Sequence, residues 1–286
     1  MRVRPYNVSM LARLFVATLF VAVLGGAQDN DAPFPPHRIA DNLYYVGSKS
    51  LASYLITTKQ GDILINSGFE RTVPIIVGNM LKLGFKPADV KILLNSHAHG
   101  DHVAGMQALK ELTAGRVYVM EGDDQVMAKG GQGQYYYHDN WPPVRVNMVL
   151  HDGEKVTLGD VTLTAHLTPG HTRGCTTWTF QAKDKGKTYD VVIVGSPNVN
   201  PGFQLVHNTD YPEIADDYAR TFRVLKSLHC DIFLGAHGAY YNLDEKYAAL
   251  KVGVKYNPFV DPEGYKKYVA EREQAYLDTL EKQKKQ

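Results

Sequence analysis

Short apolar runs bounded by turn residues alternate along this chain with longer stretches of helical spacing. The runs Leu43 to Val46, Ser53 to Thr57, Ile63 to Asn66, Ile92 to Asn95 and Val117 to Met120 read as strands, as do Val161 to Leu167, Thr177 to Phe180, Val191 to Val194 and Ile232 to Leu234. Apolar and aromatic positions at helical spacing predict helices over about Arg71 to Leu83, Val103 to Leu112, Asp123 to Lys129, Tyr211 to Leu228 and Pro262 to Lys282. Strands mixed with helices, with no low-complexity linker between two strand-and-helix halves, predict a single α/β domain whose helices cover its sheets. The stretch Gly130 to His138 is rich in glycine and tyrosine, and reads either as a surface loop or as one that faces a substrate.

The N-terminus departs from this pattern. Arg2, Arg4 and Arg13 precede an apolar run from Leu14 to Leu24 that is too short to span a bilayer, and Gly25-Gly26-Ala27 offers small residues to a signal peptidase. Residues 1–27 are therefore expected to be a signal peptide, cleaved near Ala27–Gln28, leaving a mature domain of residues 28–286 in the periplasm or secreted. An uncleaved anchor is the alternative. The polar, proline-containing stretch from Asp29 to Pro36 reads as an exposed arm before the first strand.

Composition narrows the choice of partners. A chain of 286 residues, 44% apolar and 21% charged, can bury one large core. Its net charge of +1 offers no electrostatic footprint for nucleic acid or an anionic membrane surface. A monomer acting on small molecules is expected.

The candidate chemistry lies in His97, His99, Asp101 and His102, in the run His-Ala-His-Gly-Asp-His, together with His171 and His237. Five imidazoles and one carboxylate suffice for two metal ions with positions left open for water and substrate. Each segment follows an apolar run, so the ligands sit on loops leaving strands. An extended chain through His97 and His99 would point both rings the same way, and a turn at Gly100 would bring Asp101 and His102 to a second, adjacent position. Thr168-Pro169-Gly170 ends the strand before His171 and fixes the direction of its loop.

The motif His-x-His-x-Asp-His, Thr-Pro-Gly-His at 168–171 and Gly-Ala-His-Gly at 235–238 resemble the metallo-β-lactamase superfamily. Within it, Leu43-Tyr44-Tyr45-Val46-Gly47, the segment from His171 to Trp178, Asn200-Pro201-Gly202-Phe203-Gln204-Leu205 and Asn257-Pro258-Phe259 are similar to the third subclass of class B β-lactamases, from about Phe34 to the C-terminus. The resemblance implies a four-layer αββα sandwich with two zinc ions in a cleft at one edge. One zinc would be held by His97, His99 and His171, the other by Asp101, His102 and His237. It implies hydrolysis of penicillins, cephalosporins or carbapenems by a metal-bound hydroxide, conferring antibiotic resistance, with Asp101 both a ligand and the catalytic group that orients the water.

Departures from the family pattern are specific. Glyoxalase II-like and lactonase-like members carry a metal-bridging acid after the strand that here ends in Gly195-Ser196, so this chain resembles the β-lactamases. Asp190 stands at the wrong end of that strand to replace it. Where relatives often have paired serines for the substrate carboxylate, this chain offers the neutral donors Ser196, Asn198 and Asn200, which are also turn-forming residues. Phe203 replaces a tyrosine and cannot donate, and Asn66-Ser67-Gly68 replaces an Asp-bearing turn behind the metals. Cys175 and Cys230 each resemble one end of a disulfide in relatives, but no cysteine stands at Tyr265 or in Val194 to Pro197, so two buried free thiols are expected. A small-ester or lactone hydrolase on the same scaffold and a non-catalytic zinc protein remain as alternatives.

Overall fold

Strands whose side chains alternate between two apolar environments build the first of two sheets. The computed structural model describes residues 31–286, and the expected signal segment with its cleavage site lies outside the described residues. β1 (His37–Ala40), β2 (Leu43–Tyr45), β3 (Tyr54–Thr58), β4 (Gly61–Ile65), β5 (Val90–Leu94), β6 (Arg116–Met120) and β7 (Met148–Leu150) lie side by side in chain order. Pairing is antiparallel from β1 to β4 and parallel from β4 to β7. Side-chain parity then decides the layer. Tyr54, Ile56, Ile63, Ile65, Tyr118 and Met120 enter the core between the sheets, whereas Leu55, Leu64, Val117 and Val119 enter an outer core. That outer core is closed by α1 (Val73–Lys82), α2 (Gly100–Val103), α3 (Met106–Thr113) and α4 (Asp124–Ala128), through residues such as Ile76, Met80, Val103, Met106, Leu109 and Met127.

The second sheet runs in the order β12 (Ile232–Gly235), β11 (Lys187–Val194), β10 (Thr176–Asp184), β9 (Val161–Leu167), β8 (Lys155–Leu158). Only the β11–β12 pair is parallel in it. Val191 to Val194 and Ile232 to Leu234 are buried without alternation, because they share one core with the first sheet and with α5 (Ile214–Ser227) and α7 (Pro262–Lys284), which contribute Tyr218, Phe222, Leu225, Tyr265 and Val269. The layers are helix, sheet, sheet, helix, as the resemblance implied. The halves are tied at one edge by Ala52 N–H to Ala236 O (3.0 Å), Gly238 N–H to Ser50 O (3.0 Å) and the Tyr54 hydroxyl to Gly235 O (2.7 Å).

Two expectations require correction. The segment before β1 is not an exposed arm: Phe34 is buried, and Ala32 O accepts from Lys49 N–H at 2.8 Å. The helix expected over Val103 to Leu112 starts earlier and is broken into α2 and α3 at Ala104–Gly105. Gly105 is needed there, since a Cβ on it would lie 2.5 Å from Val73 Cγ2 and 2.8 Å from Ser67 O. The edge strands β1, β7 and β8 and the helix α6 (Leu243–Lys251) carry too little apolar periodicity to be read; α6 buries Lys246, paired with Asp261 at 2.8 Å.

Burial of His37 makes the fold acid-sensitive. Its ring stacks on Tyr45 (5.2 Å) and Phe259 (5.5 Å), and its Nδ1–H donates to Pro35 O at 3.0 Å. Desolvation, partly offset by that hydrogen bond, pushes its pKa down to about 4. Between pH 6.5 and 4 the unfolded chain binds this proton and the folded chain does not, so stability falls as the pH falls through this window, by about 3 kcal/mol in all. Denaturant unfolding across this range should show His37→Phe losing that part of the acid sensitivity; an unchanged pH slope would remove His37 from the account.

Candidate metal centre

All six ligand-type residues converge on the edge where the two sheets are tied. The loop leaving β5 is extended at His99 and becomes helical at Gly100, so the turn expected there is the first turn of α2, which carries Asp101 and His102. His171 follows β9 through the Pro169-Gly170 turn, and His237 follows β12 through Ala236. The ligand atoms of His97, His99 and His171 lie within 4.8 Å of one another, with ring centroids 4.6 to 4.9 Å apart. A second triad stands beside the first. His102 Nε2 is 3.1 Å from His237 Nε2, Asp101 Oδ2 is 3.2 Å from His102 Nε2, and the third side is 3.6 Å. Ligands about 2.0–2.1 Å from a tetrahedral metal stand about 3.3 Å apart. The triad therefore has the size of a metal shell.

The electrostatics suit a cation. Burial, then the neighbouring imidazoles, hold His97 and His99 well below the ordinary histidine range. Burial likewise brings His171 down to about 4 and His237 to about 3. Such imidazoles are neutral at pH 7, with lone pairs free for a metal. His171 Nδ1–H donates to Asn198 O at 2.8 Å, leaving Nε2 for the site, while His99 Nε2 is buried without a protein partner. Burial opposes ionisation of Asp101, but His102 and then His237 outweigh it and hold the carboxyl far below its usual range.

A residue the sequence did not reveal locks the two ligand loops together. The buried carboxylate of Asp123 accepts from Ala98 N–H (2.8 Å), between His97 and His99, and from Thr172 Oγ1 (2.8 Å) and Gly174 N–H (2.9 Å), beyond His171. Burial raises its pKa to about 6 against the pull of these donors. Gly174 permits the approach, because a Cβ there would lie 2.5 Å from Asp123 N. The neighbouring Asn66 adopts a left-handed conformation (φ 65°), accepts from Ser96 N–H (2.8 Å) and donates to Ala52 O (3.2 Å); Ser67 donates its hydroxyl to His102 O (3.0 Å). The Asn66-Ser67-Gly68 turn thus supports the metal loops without an acid.

The cleft over the triads has a volume of about 480 Å³ and is walled by Ser50, Leu51, Phe69, Tyr137, Asp139 and Tyr240. Asn198 and Asn200 line it. Ser196 does not: it is buried, and its hydroxyl meets the Tyr240 hydroxyl at 3.1 Å. The same Tyr240 hydroxyl accepts from Asn198 Nδ2 (2.8 Å), and its ring lies 5.1 Å from that of His237. Tyr240 escaped the sequence reading, where only its position three residues after His237 pointed to it. Tyr137, in the glycine- and tyrosine-rich loop, lines the cleft, packs on His99 at 4.9 Å and accepts from Asn200 Nδ2 at 2.8 Å. Phe203 is buried, 6.0 Å from the His171 ring. Asp190 stands in the middle of β11 rather than at its far end, four residues before Val194, and pairs with His229 at 2.9 Å, outside the cleft.

Both cysteines are buried free thiols, as expected. Cys175 Sγ accepts from Ser196 N–H at 3.2 Å, in the stretch where a partner cysteine was missing, and Tyr265 stands beside Cys230. Desolvation raises both thiols to about 12, so neither offers a thiolate to a metal.

Comparison with known proteins places this geometry. The metallo-beta-lactamase superfamily model matches residues 50–237. The native FEZ-1 metallo-beta-lactamase from Legionella gormanii is 52% identical and superposes with a TM-score of 0.87, covering 88% of this chain and 98% of its own. BJP-1, a subclass B3 metallo-beta-lactamase of Bradyrhizobium japonicum, is 37% identical with a TM-score of 0.84, over 90% of this chain and 97% of its own. Among curated proteins, a probable metallo-hydrolase of Burkholderia pseudomallei (strain 1710b) is 30% identical over 39% of this chain, which spans only 38% of that protein's length.

Proposed function

The chain belongs to the metallo-β-lactamase superfamily, and from this premise we propose that it hydrolyses the β-lactam amide bond with two zinc ions, one on the triad His97, His99 and His171 and one on Asp101, His102 and His237. The observation that carries the reading is a complete six-residue ligand set on a chain that matches FEZ-1 over 98% of that enzyme's length. Zinc bound there supplies a Lewis acid for the amide carbonyl and lowers the pKa of a coordinated water to about 7. The protein supplies the rest. Neutral His97, His99 and His171 would hold one ion without cancelling its charge, whereas Asp101 would add one negative charge beside His102 and His237 at the other and is placed to orient a water in the cleft.

Substrate contacts fall to Asn198 and Asn200. Each amide already gives one N–H to a tyrosine, Tyr240 or Tyr137, and keeps a second for the carboxylate of a β-lactam. Ser196, behind the wall, acts through Tyr240 rather than by touching substrate. The loop after β11 carries no bridging acid, which favours a β-lactam over a lactone. The reading extends to a monomer exported through residues 1–27 to the periplasm or medium, where it protects its host from antibiotics. Among the described residues no helix is long and apolar enough to cross a membrane.

The test is an assay of the purified mature protein on a penicillin, a cephalosporin, a carbapenem and a homoserine lactone. Ring opening of the antibiotics with the lactone left intact is expected. The reverse pattern would transfer the site to a lactone hydrolase.

A further inference from the structure

Behind Tyr240, on the side away from the metals, lies a second cavity of about 590 Å³, within the range of small-molecule sites. It shares Asn198, Asn200, Ala239 and Tyr240 with the metal cleft but contains none of the six ligands. Its floor is aromatic: the Tyr240 and Tyr268 rings stack with centroids 5.0 Å apart, and Phe233 lies 5.5 Å from Tyr268.

The charges around this cavity do not balance. Asp261 is satisfied by Lys246 at 2.8 Å, and Glu271 pairs with Lys267 at 3.9 Å on the exposed rim. Arg272 has no acidic partner among the described residues. Its Nε is buried without a hydrogen-bond partner, and its guanidinium stands 5.9 Å from the Tyr268 ring centroid. A desolvated guanidinium edge lacking an acceptor is costly, and its planar fork matches a carboxylate.

We propose that this cavity binds a small monocarboxylate with an aromatic body, its carboxylate on Arg272 and its ring against Tyr240 and Tyr268. One surplus positive charge selects a monoanion over a dianion, and the stacked tyrosines select an aryl group over an inorganic ion. Because Tyr240 also packs on His237, the occupant would rest on the back wall of the metal cleft without entering it. The proposal concerns binding and stands whether or not β-lactams are the substrates.

Calorimetric titration of the zinc-loaded enzyme with 3-phenylpropionate tests it, with 3-phenylpropanol as the uncharged counterpart. The acid should bind in about the millimolar range or tighter, and the alcohol about tenfold or more weakly. Arg272→Gln should lose a similar factor while keeping its zinc content and hydrolytic rate, and Arg272→Lys should fall between, retaining charge but not the fork. Equal binding of acid and alcohol by the unaltered enzyme would overturn the proposal, as would undiminished binding of the acid by Arg272→Gln, which would put the carboxylate on the metals instead.

Discussion

Replacing Asp101 with alanine is expected to lower kcat for a β-lactam about a hundredfold or more, because several kcal/mol of transition-state stabilisation pass through the site it completes. Its Oδ2 lies 3.2 and 3.6 Å from His102 Nε2 and His237 Nε2 and is the only negative charge among the six ligands. Without it, two imidazole nitrogens 3.1 Å apart remain to hold a dication with no charge to offset it. The first triad is untouched, so metal analysis should find about one zinc per chain in Asp101→Ala and about two in the parent. Asp101→Asn separates the roles: it keeps the shape and a neutral oxygen ligand but loses the charge. A variant retaining two ions and full turnover would remove Asp101 from the chemistry.

An effect of similar size on stability is expected from Asp123. Truncation to alanine leaves the N–H groups of Ala98 and Gly174 and the Thr172 hydroxyl buried without an acceptor, at about 3 kcal/mol or more of unfolding free energy. Asparagine does not rescue it, since either amide orientation turns an NH₂ toward a backbone N–H. The same clamp fixes the spacing of His97 and His99 against His171, so metal affinity should fall about tenfold to a hundredfold. A positioning role makes a further demand: kcat should return toward the parent value at saturating zinc, while the affinity stays low. Denaturant unfolding and zinc titration measure the two effects. If kcat remains depressed with both sites filled, Asp123 takes part in more than positioning.

The candidate ligand set was legible because five histidines and one aspartate stand after apolar runs, and strand ends are where a fold can gather distant side chains. The buried strands were legible for a related reason. Val191 to Val194 and Ile232 to Leu234 are apolar throughout because both faces are covered, whereas β7 and β8 are short, half-exposed edge strands whose side chains carry little pattern. The break at Gly105 depends on Ser67 and Val73 pressing against it, a contact between distant segments that helical spacing cannot express. Asp123 and Tyr240 escaped notice for the same cause. An aspartate before a helix reads as a cap, yet the Asp123 side chain makes no cap bond and reaches across to the His171 loop. Ser196 shows the converse, a polar residue at the expected place in the chain that a buried tyrosine draws away from the cleft.

The most direct test measures zinc content and β-lactam turnover on the same sample as a chelator strips the metal and zinc is then returned. Turnover should vanish with the metal and recover on its return, approaching its full value as the content nears two ions per chain. Undiminished hydrolysis by a metal-free sample would contradict the account at its centre.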